Sequence, residues 1–294
     1  MENLIYMKRA LELAKRGEGH TAPNPLVGAV IVKDGEIIGE GWHAKYGGPH
    51  AEINAIQNLT QSAEGATLYV TLEPCAHYGK TPPCVDAIIS HRFAKVIVAM
   101  LDPNPLVRGK GVEKLESEGI EVLTGMLEAE ASEINEPFLK FITTRLPFCV
   151  MKTAMTLDGK LASTTGDSKW ISNDASRRVV HQLRNKYSAI MVGIGTVLAD
   201  DPALTTRFNE GVDAHRIIVD TEAKIPLNAA VLHLTDSSAM TLIATTERAP
   251  QEKRNALEAL GATVLVLPIK NGQVNLNSLM QRLGELNIDS VLVE

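Results

Sequence analysis

The sequence predicts a two-domain α/β protein, and three observations support this prediction. The chain has 294 residues, and domains typically contain roughly 150 residues. Strand-like and helix-like patterns alternate along it, as they do where helices pack on a sheet. Pro147 interrupts the pattern, and a second alternation begins after it. We therefore predict one domain over 1–145 and another over 146–294.

The first domain begins with a helix over Leu4–Arg16, where apolar residues recur at helical spacing. A hairpin follows, with strands near Val27–Val32 and Glu36–Glu40 and a turn at Asp34-Gly35, a dipeptide typical of tight hairpin turns. A second helix begins at His50. The remaining strands are predicted at Thr67–Thr71, Lys95–Ala99 and Ile120–Leu123, and the remaining helices at Pro83–Ile89, Gly111–Gly119 and Glu128–Thr144.

The second domain repeats the alternation. Its first strand is predicted over Phe148–Thr153, directly after Pro147. Further strands are predicted at Ala189–Val192, Arg216–Val219, Met240–Ala244, Thr263–Val266 and Ser290–Val293, and helices near Asp174–Lys186, Gln251–Leu260 and Leu276–Leu286.

Composition narrows the class of protein. Hydrophobic residues make up 45% of the chain, which leaves room for a sizeable core. The net charge of −6 and the scarcity of aromatic residues argue against nucleic-acid binding, which usually needs a basic surface. No apolar run approaches the roughly 20 residues of a membrane span. The N-terminus lacks a secretory signal and the three cysteines do not form a disulfide pattern, so we expect a cytoplasmic protein.

Two short motifs indicate a catalytic zinc site. His50-Ala51-Glu52 supplies one candidate ligand, and Cys75 and Cys84 supply two more. Three protein ligands leave the fourth position of a catalytic zinc open for water. Glu52, two residues after His50 at the start of a helix, is placed to transfer protons near the metal. This combination is the signature of zinc deaminases.

The spacing of the cysteines departs from the usual signature. Eight residues, AHYGKTPP, separate them in place of two, so Cys84 must follow an extended loop. A structural zinc site is the alternative, and His43 or His77 would then supply a fourth ligand.

Further motifs carry a family resemblance over essentially the whole chain. The stretches TAPNPLVGAV, GWHAKYGGPHAE, TLEPCAHYGKTPPC and DPNP resemble the deaminase half of the bifunctional riboflavin-biosynthesis deaminase-reductase family. The second half matches it in MKTAMTLDGKLA, SKWIS, VGIGTVLADDP and VLVE. The resemblance implies a cytidine-deaminase-like α/β/α domain followed by a dihydrofolate-reductase-like α/β domain.

The family deaminates a diamino-pyrimidinone that carries a phosphoribosylamino group, and it then reduces the ribosyl unit with NADPH. For the deaminase half the resemblance implies that His50, Cys75 and Cys84 bind Zn²⁺ and that Glu52 shuttles protons. It implies substrate contacts from Asn24, His43, His77, Lys80, Asp102 and Asn104. The alternative for Asn24-Pro25 and Asp102-Pro103 is that they are simply turns.

The sequence of the second half carries no dinucleotide-binding fingerprint of the Rossmann type. Gly193-x-Gly195 follows a predicted strand, and a helix N-terminus at this place would suit a phosphate, but by itself the motif favours a plain turn. The resemblance implies that Ala154, Trp170, Thr196, Asp200 and Thr221 line an NADPH site. It further implies substrate contacts from Lys152, Ser168, Arg184, Leu204, Arg207 and Glu294, for which ordinary surface charge is the alternative. Lys152 and Asp200 are both candidates for the acid that assists ribose ring opening.

Three further expectations concern the whole protein. The sequence stops at VLVE, where the family continues with a glycine-rich turn, so we expect the reductase domain to be incomplete at its C-terminal end. We expect a homodimer, a small phosphorylated pyrimidine as substrate, and neither nucleic acid nor membrane as a partner. A zinc deaminase of a cytidine- or adenosine-type substrate is the alternative function, and a non-catalytic zinc-stabilised module is another.

Overall fold

A computed structural model of the chain describes residues 2–78, 82–104, 107–207 and 211–294. The chain folds as two compact units, Met1–Thr144 and Arg145–Glu294. Both units are α/β, as the sequence predicts.

The first unit is built on a five-stranded sheet. Its strands, in chain order, are β1 (Gly28–Lys33), β2 (Glu36–Trp42), β3 (Thr67–Leu72), β4 (Lys95–Met100) and β5 (Glu121–Thr124). Their spatial order is β2-β1-β3-β4-β5, with β1 antiparallel to both β2 and β3 and with β3, β4 and β5 parallel. The β1–β2 turn is the predicted one, since Asp34 and Gly35 both have positive φ angles, 51° and 81°.

Six helices accompany this sheet. They are α1 (Glu2–Ala14), α2 (Ala51–Gln57), α3 (Cys84–Ser90), α4 (Lys110–Ser117), α5 (Glu128–Ile134) and α6 (Glu136–Thr144), with a 3-10 turn at Lys15–Gly17. Glycines of β1 and β2 allow helices to lie close to these strands: a Cβ at Gly28 would meet the carbonyl oxygen of Ala10 in α1, and one at Gly39 or Gly41 would meet the backbone of α2. Because α2 is seated on β2 in this way, the position of its first turn is fixed.

The prediction of one helix over Glu128–Thr144 is wrong. Two helices, α5 and α6, occupy this range and are separated by Asn135. The Asn135 side chain is only 2% exposed and hydrogen-bonds both backbone groups of Leu26. That contact is made across 109 residues of chain, so the periodicity of the helical segment carries no sign of it.

The second unit contains a six-stranded parallel sheet in the order β10-β9-β8-β7-β13-β6. Its strands are β6 (Phe148–Met151), β7 (Ala189–Gly193), β8 (His215–Val219), β9 (Thr241–Thr245), β10 (Thr263–Val266) and β13 (Ser290–Val293). A small hairpin, β11 (Ile269–Lys270) and β12 (Gln273–Val274), was not predicted. The helices are α7 (Asp174–Lys186), α8 (Ile194–Asp200), α9 (Gln251–Ala259) and α10 (Leu276–Glu285), with a 3-10 turn at Ala230–Leu232.

Both faces of this parallel sheet carry a core. Ile190, Ile218 and Ile243 belong to one buried cluster, while Ile217 and Leu242 belong to another. Neighbouring residues on a strand point to opposite faces, so the two clusters lie on opposite sides of the sheet. Parallel sheets are typically covered on both faces in this way.

Candidate functional site

Three candidate metal ligands meet in the first unit. His50 is the residue that immediately precedes α2, Cys75 follows β3, and Cys84 is the first residue of α3. His50 Nδ1 lies 3.6 Å from Cys75 Sγ and 3.3 Å from Cys84 Sγ. The three ligand atoms all lie within 4.8 Å of one another. The structure therefore brings together three residues that are 34 positions apart at most in the sequence.

Local contacts hold the two cysteines beside each other despite the long connection between them. The backbone N–H of Cys84 donates to Cys75 Sγ at 3.3 Å, and the N–H of Val85 donates to the carbonyl oxygen of Cys75. The first turn of α3 has backbone N–H groups without partners inside the helix, and Cys75 accepts from them. Cys84 is fully buried and Cys75 is half-buried.

The donor set fits zinc. Bond lengths of about 2.3 Å to sulfur and 2.0–2.1 Å to nitrogen at tetrahedral angles would place the ligand atoms about 3.6 Å apart. The nitrogen-to-sulfur separations of 3.3 and 3.6 Å are close to this value. Hydrogen bonding from Cys84 lowers the pKa of the Cys75 thiol, and His50 adds to the effect. A lowered pKa favours the thiolate, the form that binds metal.

Glu52 lies in the same cavity as His50 and Cys75. It belongs to the first turn of α2 and is 3% exposed. Burial raises the pKa of Glu52 to about 7, and the charge of His50 opposes that rise. The carboxyl group is therefore close to the metal ligands without being part of the cluster that they form.

The cavity that contains these groups has a volume of about 250 Å³. Five of the six substrate-contact residues expected in this half line it: Asn24, His43, His77, Asp102 and Asn104. Lys80 lies outside the described residues. Other lining residues are apolar, among them Val27, Leu72 and Phe138. The cavity thus has the mixture of apolar walls and a few polar groups that is usual for small-molecule sites.

His43 has both ring nitrogens engaged. Nδ1 lies 3.0 Å from the carbonyl oxygen of Pro49, and Nε2 lies 3.2 Å from Asn24 Nδ2. Burial lowers the pKa of His43, and the hydrogen bond to Pro49 opposes that shift. Among the described residues, the group able to hold a metal consists of His50, Cys75 and Cys84 without His43 or His77.

One residue of this cavity was not among the sequence candidates. Glu73 lines it, is 4% exposed, and lies between β3 and Cys75. Its carboxylate accepts hydrogen bonds from four backbone N–H groups. An acidic residue directly after a strongly apolar strand was the available sequence signal, since such a carboxylate needs buried partners.

In the second unit the structure brings together Lys152, Arg184 and Glu294. Arg184 makes two hydrogen bonds to Glu294, at 3.1 and 2.9 Å, and Lys152 Nζ lies 3.3 Å from the same carboxylate. Burial alone would raise the pKa of Glu294, but hydrogen bonds and charges from Arg184 and Lys152 outweigh it and leave the pKa below its ordinary value.

A larger cavity, of about 700 Å³, opens beside the carboxyl ends of β7 and β8. Gly193 at the end of β7 and Gly195 in the first turn of α8 line it, Asp220 and Thr221 line it after β8, and the β11–β12 hairpin contributes Lys270. Asp220 is 1% exposed, and its Oδ1 atom has no hydrogen-bond partner among the described residues. A buried acceptor without a partner beside a cavity fits a ligand that carries hydroxyl groups.

The other candidates of this half are more dispersed. Thr196 and Asp200 lie on α8, which follows Gly193. Leu204 is buried with a positive φ angle of 55°, and Arg207 is exposed. Ala154, Ser168 and Trp170 lie between β6 and α7, in a stretch without helix or strand, and Trp170 stacks beneath the guanidinium group of Arg177 at 4.3 Å.

Comparison with known proteins agrees with this division of the chain. Residues 1–100 match the family described as the cytidine and deoxycytidylate deaminase zinc-binding region. Residues 147–294 match the RibD C-terminal domain.

Full-length relatives match both halves at once. The riboflavin biosynthesis protein RibD of Aquifex aeolicus is 50% identical over 290 residues, which cover 98% of this chain and 79% of that protein. RibD of Escherichia coli K12 is 41% identical over 308 residues, which cover 100% of this chain and 82% of that protein.

Solved structures show the same fold. A diaminohydroxyphosphoribosylaminopyrimidine deaminase/5-amino-6-(5-phosphoribosylamino)uracil reductase of Thermotoga maritima superposes with a TM-score of 0.88 at 44% identity. RibD of Acinetobacter baumannii superposes with a TM-score of 0.88 at 42% identity. Each match covers 100% of this chain and 80% of the other.

The fold and the site define a two-domain enzyme, with a cytidine-deaminase-like zinc domain followed by a dihydrofolate-reductase-like domain. The chain belongs to the RibD family of riboflavin biosynthesis proteins, which are zinc deaminases and NADPH-dependent reductases. The predicted fold class, enzyme class and cofactors are confirmed. Within the described residues, no helix is both long enough and apolar enough to cross a membrane.

Proposed function

We propose that the first unit hydrolytically deaminates 2,5-diamino-6-(5-phosphoribosylamino)pyrimidin-4(3H)-one. The second unit then reduces the ribosyl side chain of the product to ribityl phosphate with NADPH. The activities named for the Thermotoga maritima relative support this pair of reactions. The observation that carries the proposal is that His50, Cys75 and Glu52 line one small cavity and that Cys84 completes the cluster of candidate ligands.

His50, Cys75 and Cys84 hold zinc in this proposal. Zinc, when bound, supplies a water that is acidic enough to act as a nucleophile near neutral pH. Glu52 would accept a proton from the attacking water and pass it to the departing amine, so that the exocyclic C–NH2 bond on the ring is replaced by C=O and ammonia leaves. Its burial in the cavity keeps the carboxyl group near the reacting atoms and away from bulk water.

The polar groups around the cavity orient the substrate. Asn24 is held by His43, which is itself held by the carbonyl oxygen of Pro49. A fixed amide can pair with the amide-like edge of a pyrimidinone, because it offers both a donor and an acceptor. Asp102 and Asn104 line the cavity as well, and burial raises the pKa of Asp102. His77 and Lys80 complete the proposed set of substrate contacts.

In the second unit, Lys152, Arg184 and Glu294 form a charged cluster that suits a phosphorylated sugar, because guanidinium groups pair bidentately with carboxylates and phosphates. We assign Ser168, Leu204 and Arg207 to the same substrate region. Thr221 lines the 700 Å³ cavity, and we assign it to NADPH binding together with Ala154, Trp170, Thr196 and Asp200. Lys152 and Asp200 remain the candidates for the acid that assists ring opening.

The protein is further proposed to be a cytoplasmic homodimer. None of the three cysteines forms a disulfide bond, which suits a reducing compartment. Large apolar side chains of the second unit are exposed, including Met151 at 78%, Leu157 at 111% and Trp170 at 72%. Exposed apolar side chains of this size are typical of protein interfaces, and a second copy of the chain would cover them.

The test is a paired assay on the zinc-quantified protein with this pyrimidine nucleotide, with and without NADPH. Glu52→Gln keeps the size of the side chain but removes its basicity, so we expect ammonia release to fall by about 10²–10⁴-fold while zinc content is unchanged. Glu116→Gln on the exposed surface of α4 is the matched control and should be as active as the parent. Oxidation of NADPH that requires prior deamination would support the second activity.

Two outcomes would contradict the proposal. A folded, zinc-loaded protein that releases no ammonia from this nucleotide would exclude it as substrate and favour a cytidine- or adenosine-type substrate. Full activity after complete removal of zinc would favour a role for the metal ligands in stability alone.

A further inference from the structure

Glu73 is a buried carboxylate that the proposed chemistry does not use. Its Oε2 atom accepts from the backbone N–H groups of Asp102 at 3.1 Å and Gly109 at 3.0 Å. Its Oε1 atom accepts from those of Gly111 at 2.9 Å and Val112 at 3.4 Å. Burying a carboxylate is costly unless hydrogen bonds replace its hydration. These four donors satisfy that requirement.

All four donors lie in the described parts, residues 102–104 and 107–112, of the chain that leads from β4 into α4. Gly111 and Val112 belong to the first turn of α4, whose N–H groups have no partners within the helix. Gly111 is also packed against Pro74, because a Cβ at this position would collide with the Pro74 carbonyl oxygen. The start of α4 is therefore joined to the Glu73-Pro74 segment by hydrogen bonds and by close packing.

The same connection carries one wall of the deaminase cavity. Asp102, Asn104 and Val107 line it. The Asp102 Oδ1 atom accepts from the N–H of Asn104 at 2.8 Å, so the orientation of one polar residue depends on the other. The backbone N–H of Asp102 is in turn held by Glu73. The position of both side chains thus depends on the Glu73 carboxylate.

Glu73 stands two positions before Cys75, a proposed metal ligand, and its N–H donates to the carbonyl oxygen of Met100 at the end of β4. One carboxylate therefore connects the segment that carries a metal ligand to the wall that carries two polar groups. Loss of the hydrogen bonds made by Glu73 would move Asp102 and Asn104 relative to the candidate metal ligands, while the ligands themselves stay in place.

We propose that Glu73 is a positioning residue for substrate recognition by the deaminase: it holds the backbone of Asp102 and the start of α4 so that Asp102 and Asn104 face the bound nucleotide. It acts through these two residues and does not touch the reacting atoms. The inference rests on the proposed deaminase function.

The first test is the steady-state kinetics of Glu73→Gln. The amide nitrogen of the new side chain would face two backbone N–H donors in place of an acceptor, so the connection should shift. We expect KM to rise by about tenfold or more while kcat changes less than about threefold and zinc content stays the same. Glu116→Gln on the exposed face of α4 is the matched control and should change neither constant.

A double-mutant cycle separates this role from a general loss of stability. If Glu73 acts through Asn104, then Glu73→Gln combined with Asn104→Ala should raise KM little more than the larger single effect. Combined with Asn24→Ala, on a different segment of the cavity, the two effects on KM should multiply. Hydrogen exchange should show faster exchange at the amides of Asp102, Gly109 and Gly111 in Glu73→Gln than in the parent protein.

The outcomes are distinguishable. A lowered melting temperature with an unchanged KM would assign Glu73 to stability only and overturn the inference. The inference would also be wrong if the effects of Glu73→Gln and Asn104→Ala on KM multiply. If Glu73→Gln and the more conservative Glu73→Asp both lose zinc or fail to fold, the carboxylate holds the fold and the inference is wrong. If the parent protein itself releases no ammonia, the proposed deaminase function fails and the inference fails with it.

Discussion

At the scale of single residues, Asn135 shows how one buried amide can organise the first unit. Asn135 Oδ1 accepts from the N–H of Leu26 at 2.8 Å, and Nδ2 donates to the carbonyl oxygens of Leu26 and Ala131 at 3.0 and 3.2 Å. Leu26 follows Asn24 and Pro25, which line the deaminase cavity. Leu26 lies two residues before β1 begins, and the Asn135 amide supplies the hydrogen bonds that hold this cavity-lining segment.

Replacing Asn135 with alanine would leave both backbone groups of Leu26 buried without partners. Each unsatisfied buried group costs about 1–3 kcal/mol, so we expect the free energy of unfolding to fall by at least about 2 kcal/mol. Urea unfolding followed by Trp42 fluorescence in a Trp170→Phe background would report on the first unit. Asn277→Ala, at an exposed position of α10, is the control. A loss below about 0.5 kcal/mol, typical of surface substitutions, would contradict this account.

The site residues that the sequence predicts bind a metal or act beside it, whereas those that it does not predict hydrogen-bond to backbone groups. The sequence predicts His50, Cys75 and Cys84 as ligands because a metal requires particular atoms at particular spacings, and it predicts Glu52 from its place two residues after His50. Asn135 and Glu73 bond to backbone groups on distant segments, and any residue type supplies such groups. The sequence therefore contains no partner motif from which their roles could be recognised.

At the scale of elements, an ion pair joins α1 to β2. Arg9 Nε lies 2.6 Å from Glu40 Oε1, and Arg9 Nη2 lies 3.0 Å from Glu40 Oε2, which is a bidentate arrangement. The hydrogen bond from Arg9 lowers the pKa of Glu40, although partial burial opposes it. Both side chains are about one-third exposed, so solvent screens the pair and its contribution to stability is modest.

This pair makes a pH-dependent contribution to stability. The pKa of Glu40 is lower in the folded state than in the unfolded state, where it is about 4.3. The pair therefore makes its full contribution to the free energy of unfolding when the pH is above the unfolded pKa, and it loses that contribution as the pH falls through the folded pKa. Glu40→Gln should therefore destabilise the first unit at pH 7 and have a smaller effect near pH 3.

Urea unfolding at several pH values would measure this difference. Glu36→Gln, at the exposed start of β2, serves as the control and should have little effect at any pH. An effect of Glu40→Gln that is as large at pH 3 as at pH 7 would contradict the assignment.

The elements also show which helices and turns local sequence patterns predict and which they do not. The hairpin at Asp34-Gly35 was predictable because its turn requires two left-handed residues, a local property. The helix pair α5 and α6 was predicted as one element, since the bend depends on the long-range contact of Asn135. The β11–β12 hairpin has two residues in each strand, too few for an alternating pattern to stand out.

At the scale of the whole molecule, the proposed metal ligands come from three separate places in the first unit: the residue before α2, the segment after β3 and the start of α3. A metal bound to all three connects these elements in the folded state only. Binding to the folded state alone raises stability by RT ln(1 + [L]/Kd), about 4 kcal/mol at a free metal concentration 1,000 times Kd.

Removal of zinc with a chelator should therefore lower the unfolding temperature of residues 1–144 and leave that of residues 145–294 unchanged. Calorimetry would detect the shifted transition, and hydrogen exchange would assign it to one unit. Zinc restored to the protein should reverse the shift. An equal shift in both units, or none in either, would contradict the assignment of the metal to the first unit.

The sequence by itself determined the α/β class, most of the helices and strands, and the candidate zinc ligands. These features depend on local periodicity, turn chemistry and the small set of atoms that bind zinc. The tertiary structure alone decided the strand orders, including the insertion of β13 between β7 and β6. It also decided which side chains share a cavity and that Glu73 holds one wall of the deaminase cavity in place. The physical reason is that each of these depends on contacts between segments far apart in the chain, which no local pattern of residues encodes.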